Sequence, residues 1–254
     1  MSRILVSLCD PINIYSYGLC IACAVVVVSW FMQKHEQFKK LNLEPYFSNI
    51  ILLCFSSALL GGRLLYCLES AMTVSDFFAL WEGGFSVLGS VIGVSAVLPY
   101  YLVKNNIPLL PFFDLIALHA PLLQSLSRLG CFFSGCCYGK QTDAWWGVTY
   151  SDAESIAPLH QKIHPAQLYS AVSLLIIFII QYFVLQKILK KPGQMFAFYL
   201  MAIGVERFFV EYFRGDSTYY EHYVGFSVTQ CVSIGIFVSG LLLMAWAFRY
   251  NDKN

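Results

Sequence analysis

Seven stretches of this chain stay apolar for about the length that crosses a bilayer, and no other feature restricts its fold as strongly. A hydrocarbon core about 30 Å thick takes about 20 consecutive apolar residues in a helix. Inside it, every backbone donor and acceptor must find its partner within the protein. The runs fall near 14–32, 46–68, 85–103, 109–127, 166–186, 194–213 and 223–248. Polar or turn-rich stretches separate them: KHEQFKK, TVSDFFALWEGG, KNNIP, the long connection 128–165, QKILKKPG and RGDSTYYEH. The pattern predicts an all-α integral membrane protein, a bundle of seven transmembrane helices. It forms a single polytopic transmembrane domain over residues 1–254, with a loop region at about 128–165. Composition agrees, because 58% of residues are hydrophobic and 12% charged, against about 45–50% and 25% in soluble domains. The formal net charge of +1 leaves no basic surface able to neutralise many phosphates, which excludes a nucleic-acid partner. No signal peptide is expected, because too few residues precede the first apolar run to carry a charged region and cleavage site.

Cytoplasmic loops carry the excess of Lys and Arg. If the seven segments alternate, Lys34, Lys39, Lys40, Lys104, Lys187, Lys190, Lys191, Arg249 and Lys253 all fall on one side. The opposite loops hold Glu69, Asp76, Glu82, Asp143, Asp152, Glu154, Asp216 and Glu221. The basic side is therefore cytoplasmic, the N-terminus lies outside, the C-terminus inside, and the 128–165 connection is extracytoplasmic.

Four arginines stand apart from the inner basic loops: Arg63, Arg128, Arg207 and Arg214. Segments two, four and six run outward, so all four sit at the outer boundary. A guanidinium within a span costs at least about 2.5–3.5 kcal/mol on insertion scales and faces the bundle interior or water. One such arginine is readily explained by snorkelling to the headgroups. Four on one side of a single bundle favour a phosphate site, because the guanidinium fork matches phosphate geometry. In VERFFVEYFRGD, Arg207, Glu211 and Arg214 share a helix face at i, i+4 and i+7, so Glu211 can hold both arginines or merely dock the helix. Tyr17, Gln167 and Tyr169 fall at the same depth, and His164 precedes a proline that suits a helix start. Gly89 and Gly93 have the small-xxx-small spacing of close helix packing. Asp114 and His119 read as structural polar groups inside the bundle. The whole predicts an outward-facing site for a phospholipid headgroup.

These motifs resemble those of the prolipoprotein diacylglyceryl transferase family along most of the chain. YSYGL (15–19) is similar to its first-helix tyrosine–glycine pair, GGRLLY (61–66) to its second-helix motif, and GGFSVLGSVIG (83–93) to its third-helix glycines. SRLGCFFSGCCYGK (127–140) resembles a cysteine-rich variant of the signature G-R-x-G-N-F-x-N-G-E-x-x-G. HPAQLY (164–169) and ERFFVEYFRGD (206–216) complete the order. The resemblance implies transfer of diacylglycerol from phosphatidylglycerol to the lipobox cysteine of a prolipoprotein signal peptide, at the bacterial inner membrane among membrane lipids. It implies no cofactor and no metal. Arg128, Arg207, His164 and Tyr17 are the expected catalytic residues. Arg63, Gln167, Glu211, Arg214, Gly135 and Gly139 are the expected substrate-binding ones. Departures bear on the general base: Leu88 stands where the family has histidine, Cys131 and Cys136 where it has Asn and Glu, and Ser170 where Glu often follows HPxQLY. His164 is then the only histidine at the right depth to take a thiol's proton. Two rival readings are a divergent paralogue acting on phospholipid with another acceptor and a lipid or anion transporter. No repeat halves support the transporter.

Cys20, Cys23, Cys54, Cys67 and Cys231 lie in or at the edges of spans and read as small apolar residues. Cys131, Cys136 and Cys137 cluster outside, in an oxidising compartment. A disulfide from Cys131 to Cys136 or Cys137, bracing the loop that carries Arg128, is the leading expectation. Zinc is a weaker one, since C-x4-C-C lacks C-x2-C pairs and a clear fourth ligand. A covalent cysteine nucleophile is the weakest, because the resemblance implies direct attack by the substrate thiol.

Overall fold

The computed structural model describes residues 4–9, 12–70, 77–78, 84–216 and 225–251. Asp76, Glu82, Glu221 and Lys253 of the charge pattern lie outside them. In chain order the elements are β1 (Ile4–Cys9), β2 (Ile12–Tyr15), α1 (Ser16–Lys34), α2 (Glu36–Lys40), α3 (Glu44–Glu69), α4 (Val87–Lys104) and α5 (Leu109–Ser134). The two-residue strands β3 (Val148–Thr149) and β4 (Lys162–Ile163) follow. Three long helices end the chain: α6 (Ala166–Ile188), with a π turn at Gln181–Leu185, α7 (Gln194–Glu211) and α8 (Val228–Asn251).

The protein is helical with almost no sheet, and six helices (α1, α3, α4, α5, α6 and α8) are long and apolar enough to cross a membrane. That makes it a multi-pass membrane protein. All seven apolar runs of the sequence form helices; α7 is not among the six, and its 18 residues include Glu206, Arg207 and Glu211. One boundary differs from the sequence reading. The fourth helix does not stop at 127 but continues to Ser134, so Arg128 and Cys131 sit on α5 rather than in a loop. RLGCFFS contains nothing that opposes a helix except one glycine. The stop comes at Gly135, whose left-handed φ of 73° closes the helix end as glycine does most easily.

The fold divides into two compact units, residues 33–112 and the remainder. In the first, α3 and α4 pack through glycines: a Cβ on Gly61 would lie 2.5 Å from the Gly89 carbonyl oxygen, and one on Gly93 2.4 Å from that of Ser57. Substituting either forces the helices apart, the role expected of Gly89 and Gly93.

In the second unit, α5 meets α6 through Ser125 Oγ, which donates to the Ala171 carbonyl at 2.7 Å. Val28, Leu122 and Phe178 form one buried cluster, and Ala117, Leu118 and Met195 another. Asp114 accepts from the backbone N–H groups of Gly193 (2.6 Å) and Phe196 (2.8 Å). It therefore satisfies the free donors at the start of α7, where the helix dipole also favours a carboxylate. Gly204 lets α7 approach α8, since a Cβ there would meet the Ser233 carbonyl oxygen at 2.8 Å. Residues such as Val232 and Leu242 on α8 remain exposed, as on faces turned to lipid.

Candidate functional site

The connection between α5 and α6 does not float. Tyr150, Ala157 and Ile163 form their own buried cluster, and Tyr150 Oη donates to the Phe132 carbonyl of α5 at 2.8 Å. The segment Tyr138–Lys140 is zipped to both sides. Lys140 N–H donates to the Phe213 carbonyl (2.8 Å), Gly215 N–H to that of Tyr138 (2.9 Å), and His164 N–H to that of Lys140 (2.9 Å). Gly139 is what allows the close fit: a Cβ there would lie 2.2 Å from the His164 carbonyl oxygen. Gly135 and Gly139 thus shape backbone around the site and offer no side chain to a ligand.

This ties the ends of α5, α6 and α7 together, and three arginines converge there. Arg128, Arg207 and Arg214 line one small, tightly closed cavity with Cys137, Gln167 and Ser170. Glu211, almost fully buried, lies between two of them, at 3.2 Å from Arg207 Nη2 and 3.9 Å from Arg214 Nε. Ser227 Oγ donates to its other oxygen at 3.2 Å. Asp216 pairs with Arg214 at 2.8 Å. A buried carboxylate so placed fixes both guanidiniums while removing only part of their charge. Gln167, also buried, donates from Nε2 to the Cys136 carbonyl at 2.8 Å, which orders the loop after α5.

Cys137 lies on the cavity wall in the left-handed region, with φ 59°. Hydrogen bonds from the Cys131 and Cys136 thiols draw its own thiol well below the usual range; Arg214 and Arg128 act in the same direction, and burial opposes them. Cys131, Cys136 and Cys137 are free thiols in this structure rather than the expected disulfide.

A larger open cleft of about 510 Å³ adjoins through the shared residue Val210. Its walls are Trp146, His164, Tyr169, Glu206, Phe209 and Phe213. His164 therefore faces this cleft and does not line the arginine cavity. Its Nδ1 is 3.0 Å from Tyr169 Oη, which accepts from Trp146 Nε1 at 2.7 Å.

Glu206 was not singled out from the sequence. It is buried, accepts from Ser170 Oγ at 2.5 Å, and so joins a residue of the cavity wall to one of the cleft wall. Its adjacency to Arg207 in VERFF is the only sequence signal for it.

Two predicted residues are not among those that line the arginine cavity, although Tyr17 is within electrostatic reach of Arg128 and of Cys131, Cys136 and Cys137. Tyr17 on α1 is partly exposed and packs on α5 at Gly130, where a Cβ would lie 3.2 Å from the Tyr17 Cα. Arg63 belongs to the other unit and is almost fully buried there. Its Nη1 donates to the Gly84 carbonyl at 3.0 Å and its Nε to that of Phe77 at 3.4 Å. The guanidinium also lies over the rings of Tyr66 and Phe85. Leu88 is exposed on α4.

Residues 3–246 match the family model described as prolipoprotein diacylglyceryl transferase. A phosphatidylglycerol–prolipoprotein diacylglyceryl transferase of Clostridium tetani is 31% identical over 210 residues, covering 81% of this chain and 82% of that protein. One of Wolbachia pipientis subsp. Culex pipiens is 30% identical over 256 residues, covering 96% and 95%. The similarly named transferase 2 of Clostridium perfringens is 30% identical, covering 91% and 90%.

Proposed function

The chain belongs to the prolipoprotein diacylglyceryl transferase family, and on that premise we propose that it moves a diacylglyceryl group from phosphatidylglycerol to the thiol of a prolipoprotein's lipobox cysteine. Glycerol phosphate is the other product. The observation that carries this reading is the convergence of Arg128, Arg207 and Arg214 on one cavity, with Glu211 holding two of them.

The incoming sulfur attacks the glycerol carbon that bears the phosphate. A carbon–sulfur bond forms, the carbon–oxygen bond breaks, and its electron pair leaves on the phosphate oxygen. The leaving group gains negative charge as this happens, so fixed guanidiniums bind the transition state more tightly than the lipid. Glu211 keeps them aimed, which limits reorganisation during the reaction. The apolar walls of the adjoining cleft, Trp146, Phe209 and Phe213, suit an acyl chain or the signal peptide's hydrophobic segment. With Nδ1–H donated to Tyr169 Oη, His164 presents Nε2 as the basic atom for the thiol's proton.

This reading takes α7 as a seventh span, with the N-terminus outside, the C-terminus cytoplasmic, and the site at the outer face of the bacterial inner membrane. The placement of Lys and Arg supports that orientation. The test of the activity is transfer of labelled diacylglycerol from phosphatidylglycerol to a lipobox peptide by purified protein in detergent. No transfer above background, with the protein folded, sinks the reading. Orientation has its own test. A cysteine engineered into residues 141–160, in a variant lacking Cys131, Cys136 and Cys137, should react with a membrane-impermeant reagent on intact spheroplasts. Reaction only after lysis reverses the topology.

A further inference from the structure

Three thiols beside the arginine cavity have no part in the ion pairs that shape it. The sulfur atoms of Cys131, Cys136 and Cys137 all lie within 4.8 Å of one another. Cys131 is on the last turn of α5, and the left-handed backbone at Gly135 and at Cys137 folds the next residues back toward it. Zinc–sulfur bonds of about 2.3 Å set tetrahedral sulfur ligands about 3.8 Å apart, so the three thiols need only small adjustments to share one ion. Soft thiolates select a thiophilic d10 cation over magnesium or calcium.

The sequence objection to zinc is the missing fourth ligand. Three protein ligands and one open position are, however, what distinguishes a reactive zinc site from a structural one, the fourth place being taken by water or substrate. Here the proposed acceptor is itself a thiol. One corner of the triad, Cys137, also forms part of the cavity wall with Arg128, Arg207 and Arg214. The two halves of the reaction would meet at that wall.

We infer that Cys131, Cys136 and Cys137 form a three-thiolate zinc site whose open fourth position binds and activates the acceptor cysteine beside the arginine cavity. The inference rests on the transferase reading for the identity of the acceptor. On binding zinc the acceptor thiol gives up its proton to water and stays a thiolate at neutral pH. Its lone pair then forms the carbon–sulfur bond, and the electron pair of the broken carbon–oxygen bond departs with glycerol phosphate. The product thioether is a weak neutral ligand and leaves the metal. Zinc supplies the thiolate, and the arginines accept the leaving charge.

Full-length protein, purified reduced in detergent, is tested for zinc content by mass spectrometry and titrated with Co(II) as zinc's spectroscopic substitute. The expected result is one ion per chain, with thiolate-to-cobalt charge-transfer absorption and the intense visible bands of tetrahedral Co(II). Cys131→Ser, Cys136→Ser and Cys137→Ser each weaken Co(II) binding by at least about tenfold, while Cys231→Ser on α8 leaves it unchanged. Because a serine variant could fail to fold, wild-type protein is also stripped with a chelator; its melting midpoint should fall and return when zinc is restored. A cysteine-containing lipobox peptide should shift the visible bands, and the same peptide with serine should not. Absence of stoichiometric Co(II) binding, a disulfide from Cys131 to Cys136 or Cys137 in the protein as isolated, or a copper-only content each overturns the site. Tight binding without the peptide shift overturns the open position. Full transfer activity in metal-free protein sinks the inference and leaves the transferase reading standing, whereas zinc bound normally with no transfer under any condition sinks that reading instead.

Discussion

Arg63 and Arg128 occupy the same place in two helices of the same length. Each lies six residues before the last residue of a 26-residue apolar helix, Glu69 in α3 and Ser134 in α5. Their surroundings differ completely. Arg63 spends donors on the carbonyls of Gly84 and Phe77 and covers two aromatic rings. Arg128 faces a cavity that two further guanidiniums share. An arginine wrapped by its own unit's backbone fixes a chain segment. Arginines brought together against their mutual repulsion are stable only with acids placed among them, and that arrangement attracts an anion. Position along a helix therefore does not tell what an arginine meets; the partners supplied by the rest of the fold do.

The strongest test of this contrast removes the acid. Glu211→Gln leaves Arg207 and Arg214 without their shared carboxylate, and breaking a buried pair costs about 3–5 kcal/mol. Its thermal unfolding in detergent should move down sharply, with transfer lost in parallel; an unchanged midpoint would show that Glu211 holds nothing. Next comes Arg128→Lys, which keeps the charge but loses the planar fork. It should slow transfer about a hundredfold, about 3 kcal/mol in the barrier, with little change in melting. A wild-type rate for both Arg128→Lys and Arg207→Lys would reduce the cluster to an anchor.

Arg63→Met should show the opposite profile. Leaving two buried carbonyls unpaired costs on the order of 1–3 kcal/mol of stability, while turnover per folded molecule stays near wild type. A large loss of rate at unchanged stability would move Arg63 into the binding machinery and erase the distinction. The smallest effect is expected from Tyr169→Phe, which removes one hydrogen bond to His164, worth about 1 kcal/mol. It should lower the rate a few-fold with melting unchanged; an unchanged rate would remove the Tyr169 contact from the positioning of His164.

The helices were legible because lipid imposes one period and one length on every span. The cluster was partly legible too, since Arg207, Glu211 and Arg214 share a face by spacing alone. What could not be read depends on partners distant in the chain. Nothing in HPAQLYS indicates that Ser170 donates to Glu206 36 residues later, or that His164 lines the larger cleft rather than the arginine cavity. Likewise, the carbonyls that occupy Arg63 come from a connection whose course is not encoded in GGRLLY. The end of α5 was misplaced for a local reason: an arginine after an apolar run looks like an exit from the membrane, yet the helix needs only compatible residues, and these persist to Gly135.

Cys137 is a side chain kept where the backbone would be easier without one. Left-handed φ costs an ordinary L-residue roughly 1–2 kcal/mol, and glycine would remove that cost at a stroke. In metal-free protein, random substitution would therefore drift toward glycine at 137, and only a bound ion would give stability a reason to resist it. Screened without metal, a search for thermostable variants should find Cys137→Gly early and reward it, discarding in the same step the sulfur that borders the arginines. Selection for robustness and selection for chemistry pull this position in opposite directions, so it is the place where an engineered, more stable version of the protein is expected to go silent.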